Sequence, residues 1–299
     1  MKNSIKISAS NLARVALILG AGAVAGCSSL LANKPDEEES PFADYPIENI
    51  ISAGDQALRM NQPDRAAFIY MQALQIEPSA DLWLRFGQAK YAQDDKALAH
   101  KAVGNSIQLE PDNADAHELM GRIYVAGGQK DQARLHLNRA TELNPDLWRA
   151  WNALGVLADL DKNYSGAVEF YTQGLVGAPQ SAMLLNNIGY SYYLAGNLEQ
   201  SVAWFGRALM NDGRYAPAVR NLALVYARRS LYDDAVRSLS KVVKPEQAYN
   251  DVGYIAIANG DYDEADELLR EAVRLSPVYY EKAYENLAIL EQRISARND

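Results

Sequence analysis

Few residues in this chain could carry out chemistry. Cys27 is the one thiol in 299 residues, so an intramolecular disulfide is impossible and a structural zinc site lacks its ligands. The histidines are His100, His117 and His136. No two stand at an i,i+4 metal-ligand spacing, and all three read as surface or packing residues. No serine, cysteine or lysine sits in a nucleophile motif, and there is no G-x-x-x-x-G-K-[ST] phosphate loop. Ala126-Gly-Gly128 lies between two helical patterns rather than after a strand, which argues against a phosphate cradle. The net charge of −9 disfavours nucleic acid, whose phosphates need clustered Lys and Arg. The expectation is a protein that is not an enzyme, with no metal, no cofactor and no small-molecule substrate.

Cys27 gains meaning from what precedes it. Lys2, Lys6 and Arg14 make a positive N-terminal region, and residues 15–25 are an unbroken apolar run. That run is too short to span a bilayer, which takes about 20 helical residues, and the pattern is that of a secretory signal. Val24-Ala25-Gly26-Cys27 resembles the bacterial lipobox. The resemblance implies a signal peptide over 1–26, a covalent lipid on Cys27 and membrane attachment through that lipid. Two or more acyl chains anchor stably, because each buried CH₂ contributes about 0.8 kcal/mol. Ser28 rather than Asp follows the cysteine, which by analogy with Gram-negative lipoproteins implies an outer-membrane lipoprotein facing the periplasm. Residues 27–46, with Asp36-Glu-Glu-Glu39 between prolines, read as an acidic tether that cannot bury enough surface to fold.

The elements behind these residues come from repetition. A small residue recurs at Gly54, Gly87, Gly121, Gly155, Gly189, Ala223 and Gly253, at spacings of 33, 34, 34, 34, 34 and 30. Twelve residues after each stands another: Ala66, Ala99, Ala133, Ala167, Ser201, Ala235 and Ala265. Prolines close most units. Each unit holds two amphipathic stretches with apolar residues at helical spacing. The best unit, Trp151-Asn-Ala-Leu154-Gly155 followed by Ala167 and Tyr171 and closed by Pro179, resembles the tetratricopeptide repeat. The fold class expected is all-α: a right-handed superhelical solenoid of about seven helical hairpins over 47–299, ending in a capping helix after Pro277. Gly155 and Ala167 are expected to face each other within a hairpin. Pro245 arrives early and predicts a shortened second helix in the sixth unit.

In such an array the first helix of each unit lines the inner surface. Residues two, five, nine, twelve and thirteen of the repeat then place Arg122, Arg149, Asn152, Asn186, Tyr190, Tyr193, Arg220, Leu224, Arg228, Asn250 and Tyr254 on one face. Tyr and Arg dominate binding hot spots because they offer rigid contact area with polar handles, and Asn can bond both partners of a peptide backbone. The face is expected to bind proteins. Chaperone-binding relatives pair Lys and Asn on one first helix, and that pair is missing here, so a free C-terminal carboxylate is not the implied ligand.

The C-terminal run Tyr249-Asn-Asp-Val-Gly-Tyr254, continuing through Gly260-Asp261-Tyr262 to Tyr279-Tyr280-Glu-Lys282-Ala-Tyr284-Glu-Asn286-Leu287, resembles the end of the TadD-like lipoproteins of the tight-adherence (Flp) pilus. The next nearest resemblance is to the pilotin lipoproteins of type IV pili. Both imply an adaptor or assembly factor for a pilus secretion machine, with a secretin or other pilus-assembly subunits as partners. A general cell-envelope scaffold that recruits peptidoglycan or proteolytic enzymes is the alternative.

Overall fold

The computed structural model describes residues 45–298. The signal peptide, Cys27 and nearly all of the tether lie outside the described residues. The described chain is helical throughout, with fifteen helices and no strand. None of these helices is long and apolar enough to cross a membrane. The helices form two compact units that divide after Leu109, each a stack of tetratricopeptide-type hairpins.

The first unit holds two hairpins: α1 (Ile47–Arg59) with α2 (Pro63–Ile76), and α3 (Ala80–Ala92) with α4 (Lys96–Leu109). Its core gathers Ile50, Tyr70, Leu74, Leu82 and Phe86. Tyr70 donates a 2.6 Å hydrogen bond to Asp55, which also pairs with Arg85 on the next hairpin.

The second unit holds five hairpins and one further helix. Its first helices are α5 (Ala114–Ala126), α7 (Trp148–Leu160), α9 (Ala182–Leu194), α11 (Ala216–Arg228) and α13 (Pro245–Asn259). The matching second helices are α6 (Lys130–Leu143), α8 (Tyr164–Gly177), α10 (Leu198–Asn211), α12 (Tyr232–Leu239) and α14 (Tyr262–Leu275). The last helix, α15 (Glu281–Asn298), packs on α13 and α14. Helix α12 has 8 residues where α10 and α14 have 14, as the early Pro245 predicts.

Local chemistry sets these boundaries. Ser79, Asn113, Asn163, Ser181 and Asn197 cap their helices by accepting from a backbone N–H in the first turn, which satisfies donors that have no partner within the helix. Each hairpin turn contains one left-handed residue: Asn61, Asp94, Gly128, Lys162, Gly196, Ser230 and Gly260. Gly260 takes this conformation, at φ 87°, without the Cβ clash that other residues meet there.

Helix pairing within a hairpin follows the small residues. Ala66, Ala99, Ala133, Ala167, Ser201, Ala235 and Ala265 are all at 0% exposure. The glycine at the eighth position has a different main partner from the one expected. A Cβ on Gly155 would strike the ring of Tyr171 at under 3 Å, and one on Gly189 would meet Phe205 at 2.7 Å. The glycine is therefore a socket for the large residue sixteen positions later, while the small residue at position twenty lets the second helix settle close enough to fill it.

Candidate functional site

The inner face of the second unit is built by its first helices. Helix α5 touches α7, α9 touches α11, and α11 touches α13, whereas successive second helices do not pack closely on each other. The side on which neighbouring elements converge is the concave one, so residues on the free side of the first helices line a groove.

The structure sorts the expected groove residues into three groups. Tyr190, Tyr193 and Arg228 come together. The two tyrosine rings stack with centroids 5.9 Å apart, and the Arg228 guanidinium lies 5.8 Å from the centre of the Tyr193 ring. Tyr190 is 39% exposed and Tyr254 52%. Arg149, Arg220 and Arg228 are exposed, and Leu224 is half-buried. Arg149 lies over the Trp148 ring at 5.1 Å.

The asparagines form the second group and correct the expectation. Asn186 and Asn250 are buried, at 6% and 4% exposure. Asn221 donates to Asn186 at 2.9 Å, Asn186 to Asn187 at 3.2 Å, and Asn187 to Asn152 at 2.8 Å. This relay runs from α11 through α9 to α7. A second, shorter one links Asn286 to Asn250 and Asn250 to Asp251. The amides stitch first helices together, so Asn186 and Asn250 do not stand ready for a ligand backbone. Arg220 occupies the fifth repeat position in α11, where α7, α9 and α13 have asparagine, and it projects to solvent.

The third group is Arg122 with Glu118, which the sequence reading missed. Glu118 is 5% exposed and forms an ion pair with Arg122 at 3.2 Å. Burial pushes its carboxyl above the usual range, and the charges of Arg122 and Arg149 oppose that shift. Glu118 holds the same repeat position as Asn152 and Asn186, and that register could have revealed it.

Asp159 was missed as well. Its Oδ2 accepts from the Tyr171 hydroxyl at 2.9 Å and from Ser191 at 3.0 Å, which ties α7, α8 and α9 together. Its Oδ1 is buried without a hydrogen-bond partner. Burial raises the carboxyl above its ordinary value despite both hydrogen bonds, and burial, reinforced by the nearby Asp159 carboxylate, drives the Tyr171 hydroxyl strongly upward.

His117 and His136, nineteen residues apart, meet across the α5–α6 hairpin with Nδ1 atoms 3.0 Å apart. His117 Nε2 lies 2.9 Å from the Pro111 carbonyl, which can only accept, so Nε2 donates. The arrangement is a packed pair on which Tyr124 stacks. Among the described residues no group of three or more His, Cys, Asp or Glu could hold a metal ion.

Tetratricopeptide-repeat family descriptions match residues 84–134 and 118–182, 181–209 and 246–279. The chain belongs to the tetratricopeptide-repeat family. Repeat proteins of this family are generally non-catalytic scaffolds that bind other proteins. A stretch of 159 residues is 26% identical to the mouse cell division cycle protein 16 homolog, covering 50% of this chain and 26% of that protein. The match spans about a quarter of that relative's length. Among solved structures, PilW, described as a widely conserved type IV pilus biogenesis factor, aligns with a TM-score of 0.57 at 19% identity, over 70% of this chain and 98% of PilW. PilF of Pseudomonas aeruginosa aligns with a TM-score of 0.55 at 16% identity, over 70% of this chain and 96% of PilF. At these identities the likeness is one of fold.

Proposed function

We propose that this chain is a non-catalytic adaptor, anchored to the outer membrane by a lipid on Cys27 and facing the periplasm. It holds partner proteins in the groove of its second unit during assembly of a Flp/tight-adherence or type IV pilus secretion machine. The observation that carries the binding role is the cluster of exposed Tyr190 and Arg228 with half-buried Tyr193 on the inner face of the stack. Two stacked rings under a guanidinium present rigid contact area with donors at its edge, the composition of an interface hot spot. The pilus assignment is supported by the TadD-like C-terminal run, by the lipobox and by likeness in fold to PilW and PilF. Its partners are a secretin or other pilus-assembly subunits.

The test is complementation of a deletion strain with wild type and with Tyr193→Ala plus Arg228→Ala. Thermal melts confirm that the variant is folded, and surface pili and secretin co-purification are scored. The expected result is loss of both readouts in the stably folded variant. Normal pili in the deletion strain would remove the pilus role. Undiminished co-purification with the variant would remove the groove.

A further inference from the structure

The middle of the second unit's groove, formed by α7, α9 and α11, has a charge character opposite to that of the whole chain. The protein is acidic, at −9, and most cations on the second helices are neutralised where they stand, as in Arg139 with Asp112 at 2.5 Å, Arg274 with Glu271 at 2.5 Å, and Arg134 with Asp161, Arg207 over the Trp204 ring being an exception. The three central first helices differ. Helices α7, α9 and α11 carry Arg149, Arg220 and Arg228 against a single carboxylate, Asp159. That carboxylate is turned inward to Tyr171 and Ser191. Among the described residues, no carboxylate stands at ion-pair distance from any of the three arginines. On the flanking first helices, Glu118 is paired with Arg122 and also feels the charge of Arg149, and Asp251 accepts from Asn250.

The polar groups that could have read a peptide backbone are already committed. The amides of Asn186, Asn187 and Asn221 are donated within the relay. What remains is the guanidinium forks of Arg220 and Arg228, the Tyr190–Tyr193 stack and Leu224. Guanidinium groups match carboxylates in a bidentate geometry, and a concave surface of one sign concentrates counter-charged ligands. Arg220 and Arg228 are eight residues apart on α11, about 12 Å along the axis. An extended chain advances about 3.3 Å per residue, so acids three or four positions apart reach both.

We infer that the groove selects an acidic segment of its partner protein, in extended conformation, with an aromatic or aliphatic side chain between two carboxylates. The inference rests on the groove being the binding surface, and it names the chemistry of what binds there. Charge selects the segment, the tyrosine stack takes the apolar side chain, and the asparagines stay structural.

The test is selection of binders from a library of random short peptides displayed on phage, using the purified full chain in detergent. Selected peptides are then titrated against wild type, Arg220→Gln plus Arg228→Gln, and Tyr193→Ala, with melts as folding controls. The expected result is enrichment of Asp and Glu around an apolar residue. Affinity should fall at least tenfold in the double arginine variant, and it should fall as sodium chloride rises from dilute to physiological strength, because screening shortens the reach of exposed charges. Neutral or basic binders that are lost with Tyr193→Ala would overturn the acidic preference and leave the groove standing. Acidic binders indifferent to the arginines would overturn it as well. A selection yielding no peptide sensitive to any of these variants would overturn the groove itself.

Discussion

Asn187 on α9 donates a hydrogen bond to Asn152 on α7 across 2.8 Å, bridging 35 residues of sequence. The bond matters because these two helices belong to successive hairpins, and the first helices form the groove floor. Their amides fix the spacing of the helices, so the exposed side chains on the far side of each helix inherit that spacing.

Replacing Asn187 by Ala should therefore cost stability rather than affinity. The change removes a donor to Asn152 and an acceptor from Asn186, and Asn186 is buried. An unsatisfied buried polar group costs about 1–3 kcal/mol. Denaturant unfolding should show a loss of that size. Binding of a groove ligand by the fraction still folded should stay near the wild-type value. A variant with unchanged stability would mean that the relay does not stitch the hairpins.

Gly155→Ala sets helix propensity against packing. Alanine is favoured over glycine by about 1 kcal/mol within a helix. The added Cβ, however, collides with the Tyr171 ring, and overpacking costs about 1–3 kcal/mol. The collision should win, lowering the melting temperature. A second change, Tyr171→Leu, should restore part of the loss, since Leu137 fills the corresponding socket beneath Gly121. Gly155→Ala that melts at or above wild type would show that the ring swings aside freely.

The repeat phase was legible because small residues at the helix contact tolerate almost no substitution, and they recur at positions eight and twenty along the whole chain. Hairpin boundaries, the short α12 and the Tyr190–Tyr193 patch all follow from that phase. The asparagine relay was not legible. Asn186 and Asn187 are neighbours in sequence, and a helical pattern of this kind cannot say which of two adjacent polar residues turns toward the next hairpin. The relay depends on the lateral offset between hairpins, a tertiary quantity. Asp159 was hidden for a related reason. A carboxylate in a first helix reads as solvent-facing until its partner on the next hairpin, here Ser191, is placed beside it, whereas Glu118 shares the repeat register of Asn152 and Asn186. The meeting of His117 with His136 is set by the same hairpin geometry rather than by any sequence motif.

Cys27→Ser should release the protein from membranes and leave the repeats folded, because the first helix among the described residues begins twenty residues later, at Ile47. Metabolic labelling with palmitate should mark the wild type and not the variant, and the variant should move to the soluble periplasmic fraction with an unchanged helical signal by circular dichroism. Absence of label on the wild type would remove the lipid anchor from the proposal.

Asp159 should make the second unit less stable as pH rises toward neutral. Burial raises its carboxyl in the folded protein, so the folded state binds its proton more tightly than the unfolded chain, whose aspartates titrate near about 3.9. Stability falls with pH wherever the folded state holds more protons. The contribution is thus fully present below the unfolded value and is lost as pH climbs through the raised folded one. Asp159→Asn keeps an oxygen to accept from Tyr171 and Ser191 and removes the charge. The variant should melt above wild type at pH 7, and the gap should close as the pH is lowered toward 4. Asp161, Asp261 and Glu271 are held below their usual range by hydrogen bonds, from Lys130, Tyr232 and Arg274 respectively. They destabilise both proteins alike in acid, so the difference between the two melting curves isolates residue 159. A gap that stays constant from pH 7 to pH 4 would mean that Asp159 does not titrate in this range, and that its unpartnered Oδ1 is satisfied by another group.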